Sequence, residues 1–525
     1  MDAVKPPRLF CAKRDPSPYL AALIEAGEPG VLRDLIGITL NADPKWRQDC
    51  VSAVSAIAAP LLPDHLPEWD EGVRRSWSVL GQGPNDLWGM KRETVEQLPM
   101  NTPSDVTLLG LCASHGNGYV REAAVARLTR IQDGSELAFL ILRANDWVPA
   151  VQMRASTALM DRLVPSYATV FVRHLALLDY LFRATRADHR LLLDAITGFL
   201  QSENARPALL KSLDSPNYRL RRRSYELLFG THTELPEWLT EKALANGDSV
   251  VRHVTYRKLL SPDRPLSMTL VRRAAKDSFA RIRRMAFDIS TQIDSRAGNS
   301  LLREFLFDHG AQLRGDAQRQ WRTRGLGDPA DVYRSSLQVR GSSGDEATLV
   351  AGLGETGNIA DASFLQSFLK HDRARVRQIA VRAVCRLQPS GFLNIVTEAL
   401  FEESPAVATA SEACLVKHIR NLNAGELWDR ALVASTVQSP VRVLRIFRHL
   451  DKWDRLEHLL KALMTSDAVR GFAEIELDDW GTRFNLTFTT LTRDQRSKLT
   501  TLLEQNRTRL SASRVAGIEF ALKHG

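Results

Sequence analysis

Apolar residues recur along this chain at the spacing of one helix face. Ile282, Met285, Ala286 and Ile289 follow the i, i+3, i+4, i+7 pattern, and the same spacing returns after residue 375. Residues so spaced lie on one side of an amphipathic helix. A polar turn and a second, shorter apolar segment precede each of these stretches, so the pattern predicts a series of helix–turn–helix units.

The units recur at a constant length. An apolar residue followed by Arg occurs at Arg252, Arg283 and Arg314, which lie 31 residues apart. Equivalent positions are found before and after these three, at Arg121, Gln152, Arg221, Arg377 and Ala408. A fixed period of 20 to 50 residues is typical of repeat proteins, in which no unit buries its apolar face alone and neighbours must stack. We therefore predict an all-α fold of about ten stacked repeats, with atypical segments at both ends.

The segment LGETGNIADASFLQSFLKHDRARVRQIAVRAVCRL, residues 353–387, shows the repeat most clearly. A turn Asp, five further residues, an Arg and then small residues follow one another. This resembles the HEAT-repeat family, specifically the short HEAT-like repeats also found in phycobilisome lyases, over roughly residues 101–450. The resemblance implies a right-handed α-solenoid whose concave face binds a macromolecular partner.

The resemblance also implies a structural role for the recurring Asp and Arg. In such stacks the Arg of the second helix bonds the turn of its own or the next unit, which satisfies its charge near the interior. We call this series of turn Asp and helix Arg residues the ladder. Its expected members are Asp146, Asp214, Arg221, Arg252, Asp277, Arg283, Asp308, Arg314, Asp372 and Arg377.

Changes in composition divide the chain into five predicted segments. Residues 1–104 are expected to form a helical cap with a Pro- and Trp-rich loop, and residues 105–324 a repeat array. A Gly- and Ser-rich hinge or loop is expected at 325–346, a second array at 347–450 and a C-terminal cap at 451–525. Within the last segment, residues 483–492 alternate like a strand or form a loop.

Length and composition fit a folded repeat protein without a membrane segment. A chain of 525 residues exceeds one ordinary core, but a solenoid grows in one dimension and avoids that limit. The apolar runs are too short to span a bilayer, and we see no secretory signal near the start. Five scattered cysteines without a CxxC motif favour buried thiols in a reducing compartment. A cytoplasmic location is therefore predicted.

The net charge of +9 is concentrated in one region. Residues 201–324 contain 23 Lys and Arg against 14 Asp and Glu, so the rest of the chain is neutral in sum. The repeat period places Lys211, Lys242 and Arg273 in one column and Arg222, His253 and Arg284 in a second, with Arg219 and Arg281 beside it. Aligned positive charge would attract an anionic partner. The alternative is an ordinary solvated face whose interspersed acids dilute the field.

No catalytic motif is present in the sequence. It contains no HExxH, P-loop or GxSxG, and its His residues do not fall at metal-ligand spacing, so we predict no catalytic residue, metal or cofactor.

The sequence pattern favours no particular oligomeric state. It leaves three classes of function. The first, and our prediction, is a non-enzymatic scaffold that binds a protein or another acidic surface. The second is a nucleic-acid-binding protein that contacts phosphates along residues 201–324. The third is an enzyme resembling the alkylpurine DNA glycosylases built from HEAT-like repeats, for which Asp146, Trp147 and Trp321 would supply the acid and the aromatic rings.

Overall fold

The computed structural model describes residues 17–27, 29–40, 42–61, 65–75, 90–231, 234–293, 295–339, 345–388, 391, 393–434, 436 and 438–524. All regular elements in these residues are helical, and no strand occurs among them. The all-α prediction is therefore confirmed. Residue contacts divide the chain into two units, Met1–Pro265 and Leu266–Gly525.

The first unit contains sixteen described α-helices. They are α1 (Ser17–Ala26), α2 (Leu32–Leu40), α3 (Pro44–Ala58), α4 (Leu66–Arg75), α5 (Arg92–Glu96), α6 (Pro103–Cys112), α7 (Gly118–Leu128), α8 (Leu137–Arg143), α9 (Pro149–Asp161), α10 (Ala168–Arg173), α11 (Leu175–Arg183), α12 (Arg190–Leu200), α13 (Arg206–Ser212), α14 (Tyr218–Thr231), α15 (Glu237–Leu244) and α16 (Ser249–Leu259).

The second unit also contains sixteen described α-helices. They are α17 (Met268–Ala275), α18 (Ala280–Gln292), α19 (Arg296–Leu306), α20 (Ala311–Thr323), α21 (Pro329–Gln338), α22 (Glu346–Thr356), α23 (Ile359–Gln366), α24 (Ala374–Leu387), α25 (Leu393–Leu400), α26 (Pro405–Lys417), α27 (Ala424–Val433), α28 (Ser439–Phe447), α29 (Lys452–Ala462), α30 (Asp467–Arg483), α31 (Arg493–Asn506) and α32 (Ala512–His524).

Stacking of second helices organises each unit. In the first unit α7 packs on α9, and α14 packs on α16. In the second unit every other helix from α18 to α32 packs on the next in the series, while the helices between them pair with their neighbours in sequence. Each helix pair buries its apolar face against the adjacent pair, so the chain is an α-solenoid. The handedness stays a prediction.

Two segments differ from the sequence-based interpretation. The predicted loop at 325–346 contains helix α21 over ten residues, so a loop is wrong there; residues 340–344 lie outside the described residues. The expected departure from the repeat pattern after residue 450 contains α29 to α32, which stack like the helices before them. Gly and Ser in 325–346 suggested a break, but Asp328 caps the helix and Pro329 occupies its first turn, where proline is well tolerated.

The cysteines also differ from the expectation of buried thiols. Cys385 and Cys414 form a disulfide between α24 and α26, with their Cα atoms 6.3 Å apart. The two residues lie 29 positions apart, close to one repeat length, so they meet on successive second helices. Cys50 and Cys112 are buried free thiols, and Cys11 lies outside the described residues.

The recurring Arg of each second helix donates to the turn that precedes its own helix. Its acceptor is a backbone carbonyl six residues earlier, and the donor–acceptor distances run from 2.6 to 3.0 Å. These bonds join Arg121 to His115, Arg221 to Ser215, Arg252 to Asn246, Arg283 to Asp277, Arg314 to Asp308 and Arg377 to His371.

Five of these guanidinium groups also donate to a carboxylate further along the chain. Arg121 donates to Asp146, Arg283 to Asp308 and Arg377 to Glu402, each 25 residues further along the chain. Arg221 bonds Asp248, and Arg314 bonds Glu355 across 41 residues. In Arg121, Arg221, Arg283 and Arg377, one side chain therefore connects the turns of two consecutive units.

The carboxylates of this ladder also shape their own turns. Asp308 accepts the N–H of Gly310 at 2.7 Å, and Asp248 accepts the N–H of Val250 at 2.9 Å. Asp277 caps its turn in the same way, bonding Phe279. Asp277 and Asp372 accept from the Arg of their own unit through their backbone carbonyls.

Arg283 and Asp308 give a test of the ladder. The two side chains are about 5% and 4% exposed, so Arg283→Ala leaves a buried carboxylate without its partner. We expect a loss of about 3 to 5 kcal/mol in the free energy of unfolding, measured by urea denaturation. Arg281→Ala, an exposed change two positions away, should cost less than about 0.5 kcal/mol. Equal stabilities of the two variants would contradict a structural role for the ladder.

A second test concerns Asp454, near the start of α29. Burial and the neighbouring Asp451 raise the pKa of Asp454 from its ordinary 3.8 to about 6. Because the folded state holds this proton more tightly than the unfolded state, the stability contribution is lost as pH rises from about 4 to about 6. We expect Asp454→Asn to raise the melting temperature relative to the parent at pH 7 and to have little effect at pH 4. Asp494→Asn, an exposed control, should show no such pH dependence; an unchanged melting temperature for Asp454→Asn at both pH values would refute the assignment.

Candidate partner-binding surface

A buried cluster of four charges lies in the first unit. Arg121 and Arg143 both donate to Asp146, at 2.8 and 3.0 Å, and Arg143 also bonds Asp70 at 2.5 Å. All four side chains are buried. Because Asp70 belongs to α4 and Asp146 to the turn before α9, the cluster fastens α4 to the repeat array.

Beside this cluster, a cleft of about 760 Å³ opens between α4, α11 and α14. Its arginines are Arg183, Arg186, Arg219, Arg222 and Arg223, and its carboxylates are Glu68, Asp70, Glu71, Asp179 and Glu226. Tyr180 and Tyr218 supply the aromatic surface. The cleft is therefore a polar surface of mixed charge, with two of the eight residues of the predicted basic groove in its wall.

Guanidinium groups lie over exposed aromatic rings at and near this cleft. Tyr218, 47% exposed, lies 4.8 Å from Arg222 and 5.9 Å from Arg219. Trp147 is 55% exposed, and its ring centroid lies 5.1 Å from the guanidinium of Arg121 and 5.8 Å from that of Arg186. Each contact is within the range of a cation–π interaction, which also holds the guanidinium in place. Sequence reasoning did not select Tyr218 or Arg186 as binding residues, although a Tyr directly before Arg219 was visible.

Burial and ion pairing set the charge of the cleft wall. Burial raises the pKa of Asp179, although Arg223 at 3.2 Å opposes the shift. Burial also acts to raise the pKa of Asp248, but hydrogen bonds from Arg222, the Val250 N–H and Arg221 outweigh it and lower that pKa. The arginine side of the cleft is therefore backed by an ionised carboxylate.

The five predicted groove residues of the first unit differ in how they are engaged. Lys211 and Arg219 are exposed, whereas His253 is half-buried. Lys242 pairs with Asp214 at 2.7 Å, and Arg222 with Asp248 at 2.8 Å. Asp214, expected in the ladder with Arg221, thus meets a lysine of the predicted groove.

The other three predicted groove residues belong to the second unit. Arg273 and Arg281 are exposed. Arg284 forms an ion pair with Asp316 and lies 3.9 Å from Asp288. The alignment of the predicted columns across the two units stays a prediction.

Five further cations cap backbone carbonyls near the ends of earlier elements, and no sequence pattern predicted these contacts. Arg162 bonds the Thr129 carbonyl, Lys258 that of Phe229 and Arg324 those of Ser290 and Thr291. Arg127 and Arg442 do the same for the Leu98 and Leu400 carbonyls. The last carbonyls of a helix lack intrahelical partners, so a cation there satisfies them. These side chains stabilise the stack and are occupied within it.

The residues considered for a glycosylase are not arranged as an open site. Asp146 is buried with both oxygens bonded to Arg121 and Arg143, and Trp321 is buried. Only Trp147 of the three is exposed. In the described part of the chain, no group of three or more His, Cys, Asp or Glu could hold a metal ion, and no helix is long and apolar enough to cross a membrane.

Comparison with known proteins gives only distant structural similarities. No protein-family model matches the chain, and no curated protein matches its sequence. Among solved structures, importin beta from an ammonium sulfate condition is 12% identical, with a TM-score of 0.37, over 97% of this chain and 69% of that one. Importin beta from a polyethylene glycol condition gives 10% identity, a TM-score of 0.41 and coverage of 96% and 71%.

A third similar structure is Kap121p, which is 13% identical, with a TM-score of 0.22, over 91% of this chain and 57% of that one. Two mutants of Kap121p are each 12% identical over 91% of this chain. These values are too low to support an argument about function. The assignment of the chain to the α-solenoids rests on its own stacked repeats.

The buried charge cluster gives a prediction that separates a structural from a catalytic Asp146. Asp146→Asn removes the charge that two buried guanidiniums share, so we expect the free energy of unfolding to fall by about 3 kcal/mol. Asp161→Asn, an exposed change at the end of α9, should cost less than about 0.5 kcal/mol. Urea denaturation measures both. A fully stable Asp146→Asn protein would exclude the structural role.

Proposed function

We propose that this chain is a non-enzymatic HEAT-like repeat scaffold that binds an acidic surface of a protein partner. The binding surface would be the cleft between α4, α11 and α14, together with the exposed Trp147 beside it. One observation supports this most directly. Guanidinium groups lie over the exposed rings of Tyr218 and Trp147, so these cations are already held in place before a partner binds. Trp, Tyr and Arg are the residues that contribute most often to binding hot spots between proteins.

The carboxylates of the cleft favour a protein over a nucleic acid. Glu68 and Glu71 on α4 face the same space as the arginines of α14. A uniformly charged phosphate backbone would meet repulsion on that wall, whereas a protein can place its acidic side chains against the arginines and other side chains against Glu68 and Glu71. Surfaces that bind nucleic acid are much more positively charged than this, whereas mixed polar groups around aromatic side chains are common between proteins.

Nucleic-acid binding along residues 201–324 is the second candidate. The excess of nine positive charges in that region favours it. Against it, Lys242, Arg222 and Arg284 already pair with carboxylates, which reduces the field available to phosphates. The likeness to phycobilisome-lyase repeats, the cytoplasmic location and the use of the concave face stay predictions that accompany the proposal.

The test uses charge reversal at two cations that lie over the exposed rings. Partners captured from native lysate are identified, and their affinity is then measured with purified protein. We expect Arg186→Glu combined with Arg219→Glu to weaken binding at least about tenfold, because both cations cover the exposed rings. Reversal of Lys242, Arg273 and Arg284, suggested by the sequence alone, is less suitable because it would place new carboxylates against Asp214 and Asp316.

Arg509→Glu with Lys523→Glu is the matched control, since both side chains are exposed, Arg509 in the turn after α31 and Lys523 in α32, and the change in net charge is the same. It should leave affinity within about twofold, and both variants should keep the parental melting temperature. Equal weakening by the two double variants would mean that only net charge matters and would refute the cleft. Tight, salt-dependent binding of short DNA or RNA at about 50 mM salt, with no protein captured, would favour the second candidate.

A further inference from the structure

A strand-forming sequence lies between two helices of the second unit. Residues 484–492 read FNLTFTTLT, rich in aromatic and β-branched residues and without charge, Gly or Pro. Such a composition is typical of strands. The structure contains a short 3-10 turn at Phe484–Leu486, followed by residues 487–492 with neither helix nor turn. Thr487 has φ −126° and ψ 141°, which are values of an extended strand.

One edge of this extended segment is held by side chains of α29. Lys452 Nζ donates to the Thr487 carbonyl at 2.8 Å and to that of Phe484 at 3.3 Å. Trp453, fully buried, donates its indole N–H to the Thr489 carbonyl at 2.9 Å. Trp480 stacks on Phe484 with ring centroids 5.6 Å apart. The bonds to Thr487 and Thr489 fix alternate residues, as pairing with a neighbouring strand would.

The opposite edge is open. In an extended chain the backbone groups of successive residues point to opposite sides, so those of Phe488 and Thr490 point away from α29. Neither residue forms a backbone hydrogen bond to any residue that the structure describes. Phe488 is 97% exposed and Leu486 74%, so apolar side chains accompany the open edge. An edge of this kind is a template for another strand.

We propose that residues 487–491 bind an extended segment of a partner protein by strand addition. Main-chain hydrogen bonds from Phe488 and Thr490 would supply affinity, and Phe488 would contact an apolar side chain of the added strand. This interface lies in the second unit, and its argument is independent of the cleft described above.

Charge distinguishes a partner segment from a second copy of this chain. Arg483 and Arg493 flank the segment on its two sides. Arg483 is the last residue of α30 and Arg493 the first of α31, so a second copy would bring its own two cations to an edge that the same two cations already flank. Like charges brought close together repel one another. A segment with alternating apolar residues and an acidic residue at each end complements the same features, and this is the occupant that we propose.

The probe is a fluorescein-labelled peptide, Glu-Thr-Val-Thr-Val-Thr-Glu, whose binding to the full chain is followed by fluorescence polarisation. We expect Thr490→Pro to weaken binding at least about tenfold, because proline removes the outward N–H at an extended position. Thr490→Val keeps that N–H and is the matched control, so it should bind like the parent. A peptide N-methylated at alternate residues, and one with Lys in place of both Glu, should each bind at least about tenfold more weakly.

Three results would overturn the proposal. The first is no saturable binding of the peptide up to about 1 mM. The second is equal binding of the N-methylated peptide or of Thr490→Pro, provided that the variant keeps the parental melting temperature, since the backbone edge would then be irrelevant. The third is a concentration-dependent dimer in sedimentation that Thr490→Pro abolishes, which would make a second copy the occupant.

Discussion

A buried guanidinium that serves two turns at once is the interaction on which this structure depends. Arg283 donates to the carbonyl of Asp277 in its own turn and to the carboxylate of Asp308 in the next. A turn between short helices has carbonyls without partners, and a carboxylate near the interior needs a cation. Five donors in one planar group satisfy both needs, which a lysine would not do. This requirement favours a constant repeat length, because the turn of the next unit must lie within hydrogen-bond distance of the guanidinium group.

This use of arginine changes how the basic composition is to be understood. The net charge of +9 suggests a surface that attracts anions, but much of the positive charge is used inside the stack. Ladder arginines are held by carbonyls and carboxylates, and Arg162 and Arg324 cap the ends of preceding second helices. Arg219 and Arg186 differ from these, because they lie over the exposed aromatic rings of Tyr218 and Trp147.

The two proposed interfaces use different physics. The cleft of the first unit offers ordered side chains, so its recognition would depend on charge and aromatic surface. The segment at residues 487–491 offers backbone groups along an open edge, so its recognition would depend mainly on hydrogen bonds that any extended chain can make. A scaffold with both kinds of surface could bring two partners together, one at each unit.

The sequence by itself determined the helical repeats and the recurrence of Arg at one offset of the repeat, because helix amphipathicity and a constant period are local properties that a one-dimensional pattern records. It also showed the strand-like alternation near residue 488. It did not show that Asp214 would meet Lys242, that Cys385 would meet Cys414, or that Arg143 would join Asp70 across 73 residues. Nor did it show helix α21 within the Gly-rich segment. Those outcomes depend on which side chains come into contact when the helices stack. Only the tertiary structure determines these contacts, because packing, and not spacing along the chain, brings distant residues together.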